Sequence, residues 1–109
     1  MALVIGRFDV VLVELDPTVG SEIQKTRPSL VISPDEMNNH LQTIVVAPMA
    51  TGGKHYPSRI ACRFRAKNGM VLLDQIRTVD RLRIVKRLGR LDPPTCRIVA
   101  ERLQQMFAY

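Results

Sequence analysis

The stretch Leu15-Asp16-Pro17-Thr18-Val19-Gly20-Ser21-Glu22, followed by Lys25-Thr26-Arg27-Pro28-Ser29-Leu30-Val31-Ile32, decides the fold prediction for this chain. It is a polar, charged loop between two apolar runs, residues 8–15 and 29–33, and both runs are typical of strands. Asp16-Pro17 ends the first strand, because Asp-Pro favours a turn, and Pro28 is expected to fix the entry of the second. A loop rich in acids, hydroxyls and arginine between rigid elements is where a small domain would place an active site.

Further strands are predicted over residues 43–48, 59–64, 70–74 and 83–91, with a turn and a mobile loop over residues 51–58. Residues 35–41 fit either a helical turn or an irregular loop. Lys67-Asn68-Gly69 predicts a hairpin in which Asn-Gly supplies the two positive-φ positions of a tight turn.

One convincing helix is predicted after Asp92-Pro93-Pro94. Asp92 suits the N-cap, and Pro93 suits the first helical position, where its missing N–H costs nothing. An apolar face is expected to contain Val99, Leu103, Met106 and Phe107. Six or so short strands and a terminal helix predict a mainly β small barrel closed by a C-terminal α-helix, as one domain over residues 1–109.

The composition is basic, with a net charge of +6 and a sequence pI near 10.0, which favours a polyanionic partner over a merely solvated basic surface. Basic residues concentrate in residues 54–67 and 77–90. No apolar run approaches the roughly 20 residues that span a bilayer, and residues 1–5 are too short for a signal peptide. Cys62 and Cys96 are too few for a disulfide scaffold and lack metal-ligand spacing, so two reduced thiols in a cytoplasmic protein and no metal are expected. Membrane association and a cofactor are not expected either.

Several motifs, in order along nearly the whole chain, resemble the MazF/PemK family of toxins. They are residues 11–15, the loop over residues 16–22, Arg27-Pro28, residues 30–32, and Asp74-Gln75-Ile76-Arg77-Thr78-Val79-Asp80. Residues 45–48 with Gly52-Gly53 look closest to the PemK-like branch. The resemblance implies an SH3-like barrel of the MazF, PemK and CcdB type, and a single toxin domain over residues 1–109.

The resemblance also implies a function. Such a toxin is a cytoplasmic homodimer and a metal-independent endoribonuclease that cuts single-stranded RNA at short sequence motifs. Attack by the 2′-hydroxyl of the RNA gives a 2′,3′-cyclic phosphate and a 5′-hydroxyl. A co-expressed antitoxin neutralises the toxin by placing a disordered acidic tail in the RNA groove.

Two residues are predicted to be catalytic. Arg27 corresponds to the family's catalytic arginine, and a guanidinium is a permanently charged fork that matches phosphate oxygens. A structural ion pair with Glu22 or Asp74 is the alternative role. Thr51 supplies the hydroxyl expected at the end of the third strand, although the branch commonly has two hydroxyl residues there and this chain has Ala50-Thr51. An ordinary turn residue is the alternative for Thr51.

Glu22 and Asp74 are predicted to be catalytic or orienting. Some PemK-like toxins use an aspartate at the position of Asp74 as general base, with an arginine two residues earlier and a histidine in the first loop. This chain has Leu72 and Ser21 at those places, so the Arg27/Thr51 arrangement is preferred. Asp74 is then a structural or RNA-base contact, and Glu22 accepts hydrogen bonds from a base or orients Arg27.

RNA-binding roles are predicted for Ser21, Lys25, Lys54, His55, Gln75 and Arg77. Glutamine can read base edges, and arginine can hold phosphate or stack on a base, although Arg77 could instead pair with Asp80 or Asp74. His55 is favoured as a loop residue over a catalytic base.

Two other classes of protein stay open from the sequence. One is a gyrase-poisoning toxin of the same barrel fold that performs no chemistry. The other is a non-catalytic RNA-binding relative, which is suggested by Ala50, Leu72 and Ser21.

Overall fold

The structure of the chain, a computed structural model, describes residues 3–109 and contains seven strands and two α-helices in that range. The strands are β1 (Asp9–Glu14), β2 (Thr26–Val31), β3 (Thr43–Ala50), β4 (Arg59–Phe64), β5 (Lys67–Leu72), β6 (Arg77–Asp80) and β7 (Ile84–Arg90). The helices are α1 (Asp35–Asn38) and α2 (Pro93–Phe107), and two 3₁₀ turns span Leu73–Gln75 and Arg81–Arg83. The predicted mainly β fold with a C-terminal helix is confirmed.

The strands form one antiparallel sheet in the order β4-β5-β3-β2-β1-β7, and β6 pairs with β3 beside this path. The two outer strands, β4 and β7, meet at the end of β4. A Cβ placed on Gly89 of β7 would lie 3.1 Å from Cζ of Phe64, and Arg65 Nη2 donates to the carbonyl oxygen of Leu88. These contacts bring the outer strands together and curl the sheet towards a barrel.

The sheet is covered on both faces along β1. Val10 belongs to one buried cluster with Leu30, Leu73 and Val99, whereas its neighbour Val11 belongs to a second buried cluster. Neighbouring strand residues point to opposite faces, so β1 separates the two halves of the core. This agrees with the mixed alternating and continuous apolar pattern of residues 8–15.

The β4–β5 turn is not the predicted one. Arg65 and Ala66 have φ of 49° and 63° and form the two-residue turn, whereas Asn68 and Gly69 lie inside β5. The prediction of an Asn-Gly turn was therefore wrong. The observed register places Ile60 opposite Val71, and both are buried, so apolar cross-strand packing overrides the turn preference of Asn-Gly.

The strand predictions differ from the structure at several points; Leu73 and Asp74, predicted to end the strand over residues 70–74, lie in a 3₁₀ turn. Pro28 lies inside β2 and does not precede it; pairing with β3 begins only at Ser29, so the missing N–H is tolerated. β3 continues through Pro48 to Ala50. β6 was not predicted as a strand, because its four residues contain a single apolar side chain, Val79.

Helix α2 begins as predicted. The Asp92 side chain accepts a hydrogen bond from the backbone N–H of Thr95, and proline occupies the first position. Val99 is fully buried and Leu103 packs against the core, but Phe107 is 69% exposed and Met106 is also exposed, so the expected apolar face is buried only in its first half. None of the helices formed by residues 3–109 combines the length and apolar character needed to cross a membrane.

Candidate functional site

The first loop, residues 15–25, is anchored to the segment around β6. The backbone N–H of Ile23 donates to Oε1 of Gln75 at 2.7 Å, and Nη1 of Arg77 donates to the carbonyl oxygen of Leu15 at 3.1 Å. The N–H of Leu15 donates to the carbonyl oxygen of Lys25, which closes the base of the loop. Gln75 and Arg77 thus hold the loop that leads into β2, and Arg77 pairs with neither Asp74 nor Asp80.

The tip of the first loop is exposed and stabilises itself. Oε1 of Glu22 accepts from the backbone N–H of Val19, and the N–H of Glu22 donates back to the carbonyl oxygen of Val19. Glu22 therefore orders the tip of the loop, and it forms neither a hydrogen bond nor an ion pair with Arg27. Ser21 and Lys25 are exposed and accessible to a ligand.

Arg27 is half-buried on β2, and its Nε donates to the carbonyl oxygen of Gln24 at 3.1 Å. The ion pairs found within residues 3–109 join Arg59 to Asp74 and Asp9 to Arg87 and Arg90, so Arg27 belongs to none of them. The structure therefore does not contain the alternative ion pair of Arg27 with Glu22 or Asp74. One side of the guanidinium is fixed by Gln24, and the terminal nitrogens stay able to bind an anion.

Arg27 and Thr51 line the same surface groove, which has a volume of about 350 Å³. β3 lies between β2 and β5 in the sheet, and residues near one end of each of these strands line the groove. Its polar lining side chains are Arg27, Thr51, Arg65, Lys67 and Asn68. The two predicted catalytic residues, 24 positions apart in the sequence, are thus brought to one groove.

The charged side chains that line this groove are all positive. Its charged lining residues are Arg27, Arg65 and Lys67, and no carboxylate lines it among the residues that the structure describes. Burial, followed by the charge of Asp92, raises the pKa of the Cys62 thiol, so this lining residue stays neutral near pH 7. The groove combines cations with an apolar floor of Pro28, Met49, Phe64 and Leu88, which suits a ligand with both phosphates and flat apolar rings.

Thr51 follows the end of β3 and is exposed, and the two residues after it, Gly52 and Gly53, have positive φ of 78° and 99°. Ala50 is half-buried at the end of β3. Its carbonyl oxygen would lie only 2.8 Å from a Cβ placed on Gly69 of β5. The glycine therefore allows β5 to approach the end of β3 closely, and this contact fixes the backbone that carries Thr51.

A second groove, of about 570 Å³, adjoins the first. The two share Cys62, Asn68 and Gly69, and the second groove contains His55 and Arg63. The predicted RNA-binding residue His55 is thus placed next to the Arg27 groove but outside it. Lys54 is exposed in the same loop.

Asp74 is held by Arg59 away from the Arg27 groove. Nε and Nη2 of Arg59 each donate to one carboxylate oxygen at 3.2 Å, and the Ser58 hydroxyl donates at 3.4 Å. Desolvation raises the pKa of Asp74, but hydrogen bonds and charge from Arg59, with a smaller effect of Ser58, outweigh it and lower the pKa. A carboxylate with a lowered pKa is a weak base, so this arrangement favours a structural role.

The Arg59–Asp74 pair also fixes the loop after Thr51, residues 52–58. Arg59 Nη1 donates to the carbonyl oxygen of Lys54 at 3.4 Å, and its guanidinium lies 5.0 Å from the centre of the Tyr56 ring. Leu72, which stands where some relatives have an arginine, is buried. Adjacent residues therefore anchor two loops: Asp74 anchors residues 52–58, and Gln75 anchors the first loop.

We expect Asp74→Asn to lower the free energy of unfolding above about pH 4 and to have a shrinking effect below it. The folded-state pKa of Asp74 lies below its unfolded value, so the stabilisation is complete above the unfolded pKa and is lost as the pH falls through the folded pKa. Urea unfolding of both proteins between pH 2 and pH 7 measures this difference. Glu101→Gln, at an exposed residue outside the ion pairs found in residues 3–109, is the control and should show no such dependence.

Three residues that line the groove with Arg27 were not predicted to be site residues: Arg65, Lys67 and Asn68. The cluster of basic residues over 54–67 predicted that a polyanion binds there, but it did not identify which side chains contact the polyanion. Within residues 3–109, no three histidine, cysteine, aspartate or glutamate side chains are grouped closely enough to hold a metal ion.

Comparison with known proteins identifies the family. Residues 6–107 match the model of the PemK-like, MazF-like toxins of type II toxin–antitoxin systems. The chain belongs to this family. It is 32% identical over 108 residues to endoribonuclease EndoA of Bacillus subtilis (strain 168), covering 94% of this chain and 93% of that protein. It is 35% identical over 106 residues to endoribonuclease PemK of Escherichia coli, covering 89% of this chain and 77% of that protein.

Solved structures show the same fold. MazF from Deinococcus radiodurans superposes with a TM-score of 0.86 at 24% identity, covering 99% of this chain and 100% of that chain. The predicted MazF/PemK-type barrel is thus confirmed by family membership and by the fold.

Proposed function

We propose that this chain is the toxin of a type II toxin–antitoxin pair and that it cleaves single-stranded RNA in a sequence-specific manner, without a metal ion, to inhibit translation and growth. The observation that carries the proposal is the shared cationic groove of Arg27 and Thr51, in which Arg27 has no ion-pair partner among residues 3–109. Membership of a toxin family whose relatives are named endoribonucleases supports the same activity.

The proposed reaction is a transesterification within the RNA. The 2′-oxygen bonds to phosphorus, the bond from phosphorus to the 5′-oxygen breaks, and the proton lost at the 2′-oxygen is balanced by one gained at the 5′-oxygen. The products are a 2′,3′-cyclic phosphate and a 5′-hydroxyl. The phosphorane carries extra negative charge, which Arg27 stabilises through two N–H donors on the non-bridging oxygens.

Thr51 assists Arg27 in this proposal. Its exposed hydroxyl donates to a phosphate oxygen from the end of β3, while Arg27 donates from β2. Ser21, Lys25, Lys54 and His55 contact the RNA on either side of the cut. Four other residues act through the backbone that they hold: Glu22, Asp74, Gln75 and Arg77. Asp74, through Arg59, fixes the loop after Thr51, and Gln75 fixes the loop that leads into β2.

The partners follow from the same groove and from the family. An antitoxin with an acidic segment would bind the cationic groove in competition with RNA, in the cytoplasm where both are made. We further propose that residues 1–109 act as one toxin domain and pair as a homodimer, because Phe107 and Met106 at the end of α2 leave apolar surface exposed.

Incubation of the protein with mixed-sequence RNA in EDTA tests the proposal. Discrete cuts with 5′-hydroxyl ends support it. Intact RNA that is nevertheless bound would indicate the non-catalytic relative, and inhibited gyrase with unbound, intact RNA would indicate the gyrase-poisoning class.

Thr51→Val is expected to slow cleavage about a hundredfold, since removal of one donor to a developing phosphate charge costs about 10²–10³ in rate. Valine keeps the shape of threonine and removes only the hydroxyl. Single-turnover rates on one RNA measure the effect, and Thr18→Val in the first loop is a matched control. If Thr51→Val cleaves as fast as Thr18→Val, the Thr51 hydroxyl plays no part in the reaction.

A further inference from the structure

The β4–β5 hairpin contributes two side chains to the Arg27 groove that none of the roles above uses. Lys67 and Asn68 are both exposed and both line this groove. Since β3 lies between β2 and β5, they reach the groove from the other side of β3 than Arg27. A strand of RNA seated on Arg27 would therefore have the hairpin as its second wall.

The neighbouring cation of the hairpin, Arg65, is already engaged by the protein. Its Nη2 donates to the carbonyl oxygen of Leu88, and its guanidinium lies 5.6 Å from the centre of the Phe64 ring. Arg65 therefore fixes the turn of the hairpin against β7. Lys67, in contrast, takes part in none of the ion pairs found in residues 3–109, so its ammonium is available to a ligand.

Asn68 lies where the two grooves meet. It lines both the groove of Arg27 and the adjoining groove of His55 and Arg63. A chain that continues from the first groove into the second passes Asn68. A carboxamide offers both a donor and an acceptor, which is what recognition of a base edge requires.

We propose that Lys67 and Asn68 form a substrate-RNA subsite beside the scissile phosphodiester, in which Lys67 binds a backbone phosphate and Asn68 hydrogen-bonds the edge of a base. The subsite rests on the proposed function, because Arg27 defines where the RNA is cut. RNA fits this groove chemically: it is anionic, which suits a groove without a carboxylate, and its bases can pack on the apolar floor that includes Met49 and Phe64.

The phosphate contact is tested by the salt dependence of binding. The probe is a mixed-sequence 2′-fluoro oligonucleotide, which cannot be cut by 2′-hydroxyl attack, and binding is followed by fluorescence anisotropy between 50 and 200 mM KCl. Loss of one phosphate contact reduces the slope of log affinity against log salt by about 0.7 for a single strand. Lys67→Gln should show this reduction in slope. The ratio of wild-type affinity to Lys67→Gln affinity should therefore fall about 2.6-fold from the lowest to the highest salt concentration.

The control for charge is Lys86→Gln, since Lys86 is an exposed strand lysine that does not line either groove. Its slope should equal that of the wild type. Equal slopes for the two variants, or a wild-type protein that does not bind the oligonucleotide, would overturn the subsite. This result is independent of cleavage and therefore separates failure of the subsite from failure of the proposed function.

The base contact is tested by sequencing RNA ends after digestion. Asn68→Ala should relax the preference at one base position next to the cut, while Gln104→Ala, at an exposed residue of α2, should keep the wild-type motif. An unchanged motif in a cleaving Asn68→Ala protein would overturn the role of Asn68. If the wild type leaves RNA intact, the proposed function fails, and the salt slopes still test whether Lys67 binds a phosphate of bound RNA.

Discussion

Arg27→Ala is expected to reduce the rate of RNA cleavage at least about a thousandfold, within the range measured when an arginine that stabilises a phosphoryl transition state is removed. The structure gives Arg27 one hydrogen bond to the carbonyl of Gln24 and no ion pair within residues 3–109, so its loss breaks little internal structure. Single-turnover cleavage of a fixed RNA measures the rate, and circular dichroism and urea unfolding check the fold.

Arg27→Lys separates charge from geometry. Lysine keeps one positive charge and loses the planar fork that binds two phosphate oxygens, so it should recover only a small part of the activity. Arg97→Ala, which removes an exposed arginine of α2 outside the Arg27 groove, is the control and should cleave like the wild type. A folded Arg27→Ala protein that cleaves within about tenfold of the control would show that Arg27 does not stabilise the transition state.

Gly69→Ala is expected to destabilise the fold by about 1–3 kcal/mol and to impair cleavage in the protein that remains folded. A Cβ at this position would lie 2.8 Å from the carbonyl oxygen of Ala50, and a backbone atom of a central strand cannot move aside cheaply. Any adjustment displaces the end of β3, which carries Thr51 into the groove.

The matched control for Gly69→Ala is Gly6→Ala, where the added Cβ would meet its nearest neighbour, Oδ2 of Asp9, at an ordinary 3.4 Å. Urea unfolding gives the stability of each variant, and single-turnover rates at a concentration of urea far below the transition give the activity. Equal stability and equal activity of the two variants would mean that the close approach of β5 to Ala50 does not position Thr51.

The local patterns around β1, β4 and α2 were sufficient to predict those elements. β4 was predicted with its observed bounds, and Asp92 and Pro93 begin α2 as their chemistry requires. The prediction of the β4–β5 turn was wrong because Gly69 does not form the turn. Gly69 permits the close contact with Ala50, which lies far away in the sequence, whereas Arg65 and Ala66 accept the positive φ of the turn.

The candidate site was predictable where the resemblance to the family identified a residue, and less so where the contacts of a side chain depend on the tertiary structure. The resemblance to the family singled out Arg27 and Thr51, and the structure brings them to one groove. The contacts of Asp74 with Arg59 and of Gln75 with Ile23 depend on tertiary packing, so the sequence alone did not predict them. Lys67 and Asn68 were missed because a basic or amide residue in a hairpin carries no local signal of the groove it borders.

The chemistry of the RNA ends that the wild-type protein produces in EDTA tests the proposed reaction most directly. Mass spectrometry of the fragments from one defined RNA identifies both ends of each cut. Attack by the 2′-hydroxyl with Arg27 at the phosphate predicts 2′,3′-cyclic phosphate and 5′-hydroxyl ends, and fragments that form at least about a thousandfold more slowly with Arg27→Ala. Fragments with 5′-phosphate ends, or RNA that stays intact under all conditions, would contradict it.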